Sequence, residues 1–351
     1  MKRTIPFYIL VLLFSIVDNQ LLSAQSYDNP SPRIRVIIDN DFAGDPDGVV
    51  ALAHHLMSPS VDIRAVISSY FPMKASPCGD KSEKEGAKIG KAIAKETISV
   101  IAPDKNILLL QGSNTPMENV NTPSGSEGTG FISKEAMRTG TKQRLYVCCG
   151  GSLNTIASAY LKNPGIAEKL TLIWIGGEEN LGEMQIMPPR KSKVEYNLAL
   201  DKCAAQVIFN KSRLNLWMIP RPAYRQCIYG YSEILSKIKP MGVIGKFLFE
   251  KINTWYDNTH SWCGGTAETY ILGDSPLVLL TALQSIYEAD PSSSQYVLRP
   301  CPTINNDGNF TDNPSGNIIR IYTHPDTRLM FSDMEAKLYL HNSEQKKRLK
   351  K

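Results

Sequence analysis

Four carboxylates stand within nine residues near the start of the chain: Asp39, Asp41, Asp45 and Asp47. They follow the apolar run Val36–Ile38 and precede a helical pattern, which places them in a loop between a strand and a helix. Like charges this close repel each other unless something neutralises them. Several carboxylates that converge at one strand end are the ligands that a hard divalent cation such as Ca²⁺ requires. The loop therefore predicts a calcium site.

The spacing of these aspartates also resembles the start of an EF-hand loop. That loop needs a glutamate at its twelfth position, where Val50 or Leu52 stands here, so the EF-hand interpretation fails. A cap for the following helix is an alternative role for Asp45 or Asp47. One of the carboxylates is enough for that role, so the cluster as a whole still favours a cation.

Strands alternate with helices along most of the chain, which predicts parallel pairing with right-handed crossovers. The predicted strands are Val36–Ile38, Ile63–Ser68, Ile107–Leu110, Leu145–Cys149, Leu170–Ile175 and Leu214–Ile219. The predicted helices are Val49–Met57, Glu83–Lys95, Gly130–Arg138, Leu153–Leu161 and Asp201–Phe209. We expect a doubly wound α/β fold, a mostly parallel sheet flanked by helices, with ligands bound beyond the carboxyl ends of the strands.

Long segments without a clear pattern are expected to lie over those strand ends. Phe71–Ser82 and Asn180–Val194 both follow strands, and we expect them to frame the pocket. Pro291–Asp326 is rich in Pro, Asn, Ser and Gly, which indicates turns or a β-hairpin.

The aspartate segment resembles the N-terminal signature of the inosine/uridine-preferring nucleoside hydrolase family, which runs Asp-x-Asp-x-Gly-x-Asp-Asp. It is most similar to a two-residue longer form that ends Asp-x-Asp-Asp, but Gly48 stands where the final Asp is expected. Three later segments match family motifs in the same order, so the resemblance covers roughly Arg35 to Leu283. These segments are Cys149–Asn154, Val194–Asn197 followed by Asp201 and Ala204-Ala205, and Gly273–Pro276.

The resemblance implies a nucleoside hydrolase-like fold and hydrolysis of the N-glycosidic bond of a ribonucleoside or related N-riboside. It implies that Asp41 is the general base and that Ca²⁺ holds the sugar. The implied metal ligands are Asp41, Asp45 or Asp47, the Gly150 carbonyl and Asp274, with Asp45 as a replacement for the Asp missing at Gly48. The implied sugar-binding residues are Asp47, Glu195 and Asn197.

Several of these residues have simpler interpretations. Glu195 and Asn197, two positions apart, point the same way on a strand and could both reach a sugar, but a solvated strand face looks the same in sequence. Asp274 precedes Ser275-Pro276 and could instead cap the following helix. Aromatic residues before Asp274 could line a pocket for the leaving base, although such residues more often belong to the core; these are Trp255, Tyr256, His260, Trp262 and Tyr270.

Two rival functions stay open, and the departures at Gly48 and Gly273, where the family has Asp and His, favour the first of them. One is a calcium-dependent sugar-binding protein that kept the pocket and lost catalysis. Asp41 argues against it, because binding alone does not need a base. The other rival is a hydrolase of another furanoside, since the long loops would suit a larger substrate.

The N-terminus predicts an exported protein. Lys2 and Arg3 precede the apolar stretch Ile5–Val17, which is short for a membrane span, and Leu22–Ala24 offers a cleavage site. We divide the chain into a signal peptide (1–24), a linker (25–34), a nucleoside hydrolase-like domain (35–340) and a basic tail (341–351). The expected location is secreted or periplasmic, without membrane contact after cleavage.

The amino-acid composition and net charge limit the classes of partner that we expect. The chain has 351 residues, of which 42% are hydrophobic and 21% charged, as in soluble globular proteins. Its net charge is +5, and no basic face interleaved with aromatic residues accompanies it, so nucleic-acid binding is not expected. The expected partner is a small-molecule nucleoside or ribofuranoside, and a homo-oligomer is compatible with the sequence.

Overall fold

The strands at the centre of the molecule are apolar because helices cover both faces of the sheet that they form. The computed structural model describes residues 32–75, 84–178, 194–263, 268–285 and 293–348. The first strand, Ile34–Asn40, is buried along its whole length, including the polar residues Asp39 and Asn40 at its end. Buried polar groups need partners, so this strand end is the first place to look for a site.

The helices and strands are bounded as follows. The strands are β1 (Ile34–Asn40), β2 (Val61–Ser68), β3 (Leu109–Gln111), β4 (Leu145–Cys149), β5 (Leu170–Ile175), β6 (Asn215–Ile219), β7 (Ile228–Gly230), β8 (Thr269–Ile271), β9 (Gln295–Pro300), β10 (Thr303–Ile304), β11 (Phe310–Thr311) and β12 (Ile318–His324). The α-helices are α1 (Asp47–Leu56), α2 (Gly86–Ile101), α3 (Glu127–Ala136), α4 (Asn154–Lys162), α5 (Tyr196–Leu200), α6 (Lys202–Lys211), α7 (Arg221–Tyr224), α8 (Tyr231–Glu233), α9 (Gly242–Cys263), α10 (Pro276–Leu279) and α11 (Thr327–Arg348). Short 3₁₀ segments cover Met73–Ala75 and Pro164–Glu168, and a π segment covers Ile234–Ile238.

The main sheet of the described residues has eight strands in the order β3-β2-β1-β4-β5-β6-β12-β9. Neighbours pair in parallel from β3 to β12, and β9 pairs with β12 in antiparallel fashion. The winding reverses at β1, since β2 lies on one side of it and β4 on the other. A crevice forms at such a reversal, outside the carboxyl ends of the strands, and doubly wound sheets bind ligands there.

The predicted fold class, a doubly wound and mostly parallel sheet flanked by helices, is confirmed. β4 and β5 begin and end at the predicted residues, and residues 291–326 contain the predicted hairpin as β10 and β11. That prediction was incomplete, because β9 and β12 from the same region join the main sheet. α11 continues through residues 341–348, into the segment assigned to the basic tail.

Several predictions fall on residues that the structure does not describe. The signal peptide, most of the linker and most of the two long loops lie outside the described residues. The described residues from Pro32 onward belong to a single compact unit. Among the described helices, none combines the length and the apolar character needed to span a bilayer.

Candidate active site

A cavity of about 310 Å³ opens at the carboxyl ends of β1, β4 and β5, at the reversal of the sheet. This volume is at the lower end of the range of small-molecule sites. All the residues that the sequence assigns to catalysis, sugar binding and metal binding line this cavity: Asp41, Asp45, Asp47, Gly150, Glu195, Asn197 and Asp274. The fold thus gathers residues from four distant segments around one space.

Asp41 stands directly after β1, with its carboxyl group packed against Gly151. A Cβ atom on Gly151 would lie 2.7 Å from the Asp41 Cγ atom, so only glycine permits this approach. Burial raises the pKa of Asp41 well above its usual value, and the carboxylates of Asp274 and Asp45 raise it further. A carboxylate in such a place is a strong base whenever it is ionised.

Asp45 and Asp47 are tied to neighbouring groups. Asp47 begins α1, where its Oδ1 accepts from the Gly48 N–H at 2.8 Å and its Oδ2 from the Asp274 N–H at 3.2 Å. Asp45 accepts from the Tyr270 hydroxyl at 3.1 Å and shares a hydrogen bond with Asp47. Burial is the main cause that raises the pKa of both carboxyl groups, so the pair retains a proton more readily than free aspartates do.

Asp274 is bound to a residue that the sequence reasoning overlooked. The Asn40 Nδ2 group donates to Asp274 Oδ2 at 2.8 Å, and Asn40 is completely buried. Burial raises the pKa of Asp274 to about 8, although the Asn40 hydrogen bond opposes that rise. The capping alternative for Asp274 is not supported, because no side-chain hydrogen bond caps α10, which begins after Ser275.

Glu195 lies at the N-cap of α5 and not on a strand, so the predicted strand placement of Glu195 and Asn197 was wrong. Its carboxylate accepts from the N–H groups of Gly177, Asn197 and Leu198 and from the Tyr224 hydroxyl, at 2.9 to 3.2 Å. These donors occupy both oxygens, and burial raises its pKa in spite of them. The first N–H groups of a helix need an acceptor, and Glu195 is that acceptor for α5. The local sequence pattern did not reveal this role.

Asn197 joins the ends of two strands. Its Nδ2 group donates to the Ile175 carbonyl at 2.8 Å and approaches the Gly150 carbonyl at 3.5 Å. Asn197 is thus anchored at the end of β5, close to the backbone that follows β4.

The ionisable side chains with a formal charge that line the cavity are all acidic. No Lys, Arg or His among the described residues belongs to its lining, while five carboxyl groups do, those of Asp41, Asp45, Asp47, Glu195 and Asp274. Buried carboxylates without a positive partner must take up protons or bind a cation. The site is built for a positively charged species.

The donor atoms fit an oxygen-bound cation. The described residues contain no group of three or more His, Cys, Asp or Glu side chains placed to hold a metal ion. However, Ca²⁺ also binds Asn and backbone carbonyl oxygens. Asn40 Oδ1 has no hydrogen-bond partner among the described residues, and the Gly150 carbonyl belongs to a cavity-lining residue. Together with Asp41 and Asp274 they make an oxygen donor set that has fewer carboxylates than the resemblance implies.

Aromatic rings form another part of the cavity wall. Trp255, Tyr196 and Tyr224 line the cavity, and the buried Trp255 Nε1 atom has no partner among the described residues. Tyr270, which holds Asp45, packs against Trp255 with ring centroids 5.1 Å apart. The side chains of His260 and Trp262, which the sequence placed with this group, lie outside the described residues.

Solved structures with a similar fold are nucleoside hydrolases. A purine-preferring ribonucleoside hydrolase from Gardnerella vaginalis superposes with a TM-score of 0.67 at 15% identity, covering 88% of this chain and 99% of that chain. The chain has the nucleoside hydrolase fold. An inosine-uridine preferring nucleoside hydrolase from Bacillus anthracis gives 0.61 at 13% identity, covering 87% and 99%. A plant nucleoside hydrolase gives 0.64 at 15%, covering 88% and 99%.

At the level of sequence the relationship is distant. No family model matches the chain, and no curated protein matches it either. The nucleoside hydrolase fold is therefore recognised by structural superposition over most of the chain.

Proposed function

We propose that this protein hydrolyses the N-glycosidic bond of a ribonucleoside or a related N-riboside. The observation that carries the proposal is the convergence of Asp41, Asp47, Asn197 and Asp274 on one cavity at the reversal of a nucleoside hydrolase-type sheet. Such a site suits a reaction in which positive charge develops on the sugar, because nearby carboxylates stabilise an oxocarbenium-like transition state.

Asp41 acts as the general base in this proposal. Water attacks the anomeric carbon, Asp41 accepts the proton of that water, and the bond to the base nitrogen breaks with its electron pair leaving on the base. Asp41 lines the cavity, so its carboxylate can reach a water that attacks a bound sugar. Asp45, which Tyr270 holds at the cavity, adds negative charge beside the forming cation.

Calcium is part of the proposal as the resident cofactor. When bound, Ca²⁺ holds the sugar hydroxyls and orients the water. The residues that would hold it are Asp41, Asp274, the Gly150 carbonyl and, from the sequence prediction, Asp45 or Asp47. We retain Asp47, Glu195 and Asn197 as the sugar-binding group, with Glu195 acting mainly by fixing Asn197 and Tyr224, since its oxygens already accept four hydrogen bonds.

The proposal also includes export of the protein from the cytoplasm. The charged, apolar and small-residue segments of the first 24 residues support a signal peptide and a secreted or periplasmic location. The mature chain would then meet nucleosides outside the cytoplasm.

Reducing-sugar release from a panel of purine and pyrimidine ribonucleosides tests the proposal. The mature chain is assayed with calcium and again with a chelator. We expect ribose release with calcium and its loss with the chelator. No release from any nucleoside would overturn the proposal; sugar binding without release would favour the calcium-dependent binding protein, and release from other furanosides would favour the second rival.

A further inference from the structure

The starting point is the missing side chain at Gly48. In the longer signature that the aspartate loop resembles, an Asp is expected at this position. A Cβ atom built on Gly48 would lie 2.8 Å from Asn40 Oδ1 and 3.0 Å from Asn40 Nδ2. The space that an Asp side chain would enter is therefore already occupied by the carboxamide of Asn40.

Asn40 is oriented by its partner. Its Nδ2 group donates to Asp274 Oδ2 at 2.8 Å, which turns Oδ1 away from that carboxylate. Oδ1 is buried and accepts no hydrogen bond from any described residue. A buried carbonyl oxygen without a donor is unfavourable, and a cation removes that penalty.

The absence of a side chain at Gly150 leaves space for this arrangement. A Cβ atom on Gly150 would lie 2.3 Å from Asn40 Nδ2 and 2.4 Å from Asp274 Oδ2. Glycine at position 150 thus lets Asn40 and Asp274 pack against the backbone of a residue that lines the cavity.

An unpartnered amide oxygen alone does not make a site. Asn154 has the same local pattern, since its Nδ2 donates to Asp201 Oδ2 at 2.7 Å and its Oδ1 has no partner among the described residues. Neither asparagine lines the cavity itself, but Asp274, the partner of Asn40, does, and Asp201, the partner of Asn154, does not. Asn40 differs from Asn154 in lying between Gly48, Gly150 and a cavity carboxylate.

We infer that Asn40 supplies, through Oδ1, the metal ligand that Gly48 no longer provides. The ligand moves from the first turn of α1 to the end of β1, and a neutral oxygen replaces a carboxylate. This inference rests on the proposed function only for the presence of calcium. It predicts a site that binds calcium with one charge fewer than a site with an Asp at position 48.

Calorimetric titration of calcium chloride into the mature, chelator-treated chain tests the inference without any activity assay. We expect Asn40→Ala to weaken calcium binding at least tenfold, while Asn154→Ala leaves it within twofold of the unchanged chain. Asn40→Asp keeps the oxygen and adds charge, so it should bind calcium at least as tightly as the unchanged chain. Melting temperatures in chelator identify any variant that fails to fold.

A double variant makes the test sharper. Gly48→Asp alone should clash with Asn40, but Gly48→Asp combined with Asn40→Ala returns the carboxylate to the first turn of α1 and vacates its space. We expect this pair to regain the calcium affinity that Asn40→Ala loses. The inference is overturned if Asn40→Ala binds calcium like the unchanged chain, if Asn40→Asp binds more weakly, or if Asn154→Ala loses as much as Asn40→Ala.

A result without any calcium binding by the unchanged chain would also overturn it. Asn40 would then serve only to donate to Asp274. Ribose release in chelator, measured separately, would show in that case that the proposed hydrolysis survives without the metal.

Discussion

At the scale of single residues, Asp41 has the clearest chemical assignment. Its neighbours Asp274 and Asp45 oppose its ionisation, so its removal costs the fold little. We expect Asp41→Asn to lower kcat by roughly 10²-fold or more, the usual contribution of a general base, while the melting temperature stays equal or rises. Asp62→Asn, which changes a partly exposed carboxylate paired with Arg64, serves as the control. Near wild-type turnover in Asp41→Asn would remove the base from the mechanism.

Glu195 contributes to the stability of the fold, because its buried carboxylate oxygens accept four hydrogen bonds. A glutamine there turns an NH₂ group toward two donors in either orientation. We expect Glu195→Gln to lower the free energy of unfolding in urea by about 1–3 kcal/mol, the cost of unmatched buried groups. Tyr224→Phe removes a single donor and should cost about 0.5–1.5 kcal/mol. Equal stability of Glu195→Gln and the unchanged protein would contradict the bonding described above.

The sequence indicated the site residues whose chemistry is conspicuous in isolation. Asp41, Asp47 and Asp274 are carboxylates in motif-like settings, and they do line one cavity. Asn40 was missed because its partner Asp274 lies 234 positions away, and no local pattern marks a strand-end asparagine. The available signal was its place at the end of a strand buried throughout, where a polar side chain requires a partner.

At the scale of elements, the buried strands were predictable and the late ones were not. β4 and β5 are continuous apolar runs bounded by turn residues, which is the strongest strand signal in an α/β chain. β12 joins the sheet beside β6, about a hundred residues earlier in the chain, and β9 pairs on its other side. Which strands become neighbours depends on the complete sheet, and no local sequence pattern indicates it.

Two helical glycines allow a matched test of how an element docks. A Cβ atom on Gly86, at the start of α2, would lie 2.0 Å from the Phe71 carbonyl oxygen, whereas one on Gly130, inside α3, meets nothing within 4 Å. We expect Gly86→Ala to destabilise the protein by about 1–3 kcal/mol through overpacking. Gly130→Ala should stabilise it by up to roughly 1 kcal/mol through helix propensity. Urea unfolding measures both, and a stable Gly86→Ala variant would mean that α2 does not dock closely on that loop.

At the scale of the whole molecule, two buried histidines of α1 contact two later parts of the chain, α11 and the segment just after α10. His54 Nε2 lies 2.7 Å from Asp333 Oδ2 in α11, and His55 Nε2 lies 2.9 Å from Thr281 Oγ1. Burial lowers the pKa of both, that of His55 to about 3. Both histidines thus take part in packing α1 against later segments of the chain.

This burial couples stability to pH, with a sign that follows from proton counting. A histidine in the unfolded chain binds a proton near pH 6.5, while folded His55 resists protonation down to about pH 3. Between these values the unfolded state holds more protons, so the contribution of His55 is fully present above pH 6.5 and is lost as the pH falls. The slope approaches roughly 1.4 kcal/mol per pH unit.

We therefore expect the stability difference between the unchanged protein and His55→Gln to shrink as the pH falls from 7 to 5. The site carboxylates titrate in both proteins, so the comparison cancels them and isolates His55. His324→Gln, at an exposed position, is the control and should leave the pH dependence unchanged. Urea unfolding at several pH values in chelator provides the measurement. Parallel pH curves for the unchanged protein and His55→Gln would mean that His55 is protonated in the folded state, and that the contact between α1 and Thr281 opens to water.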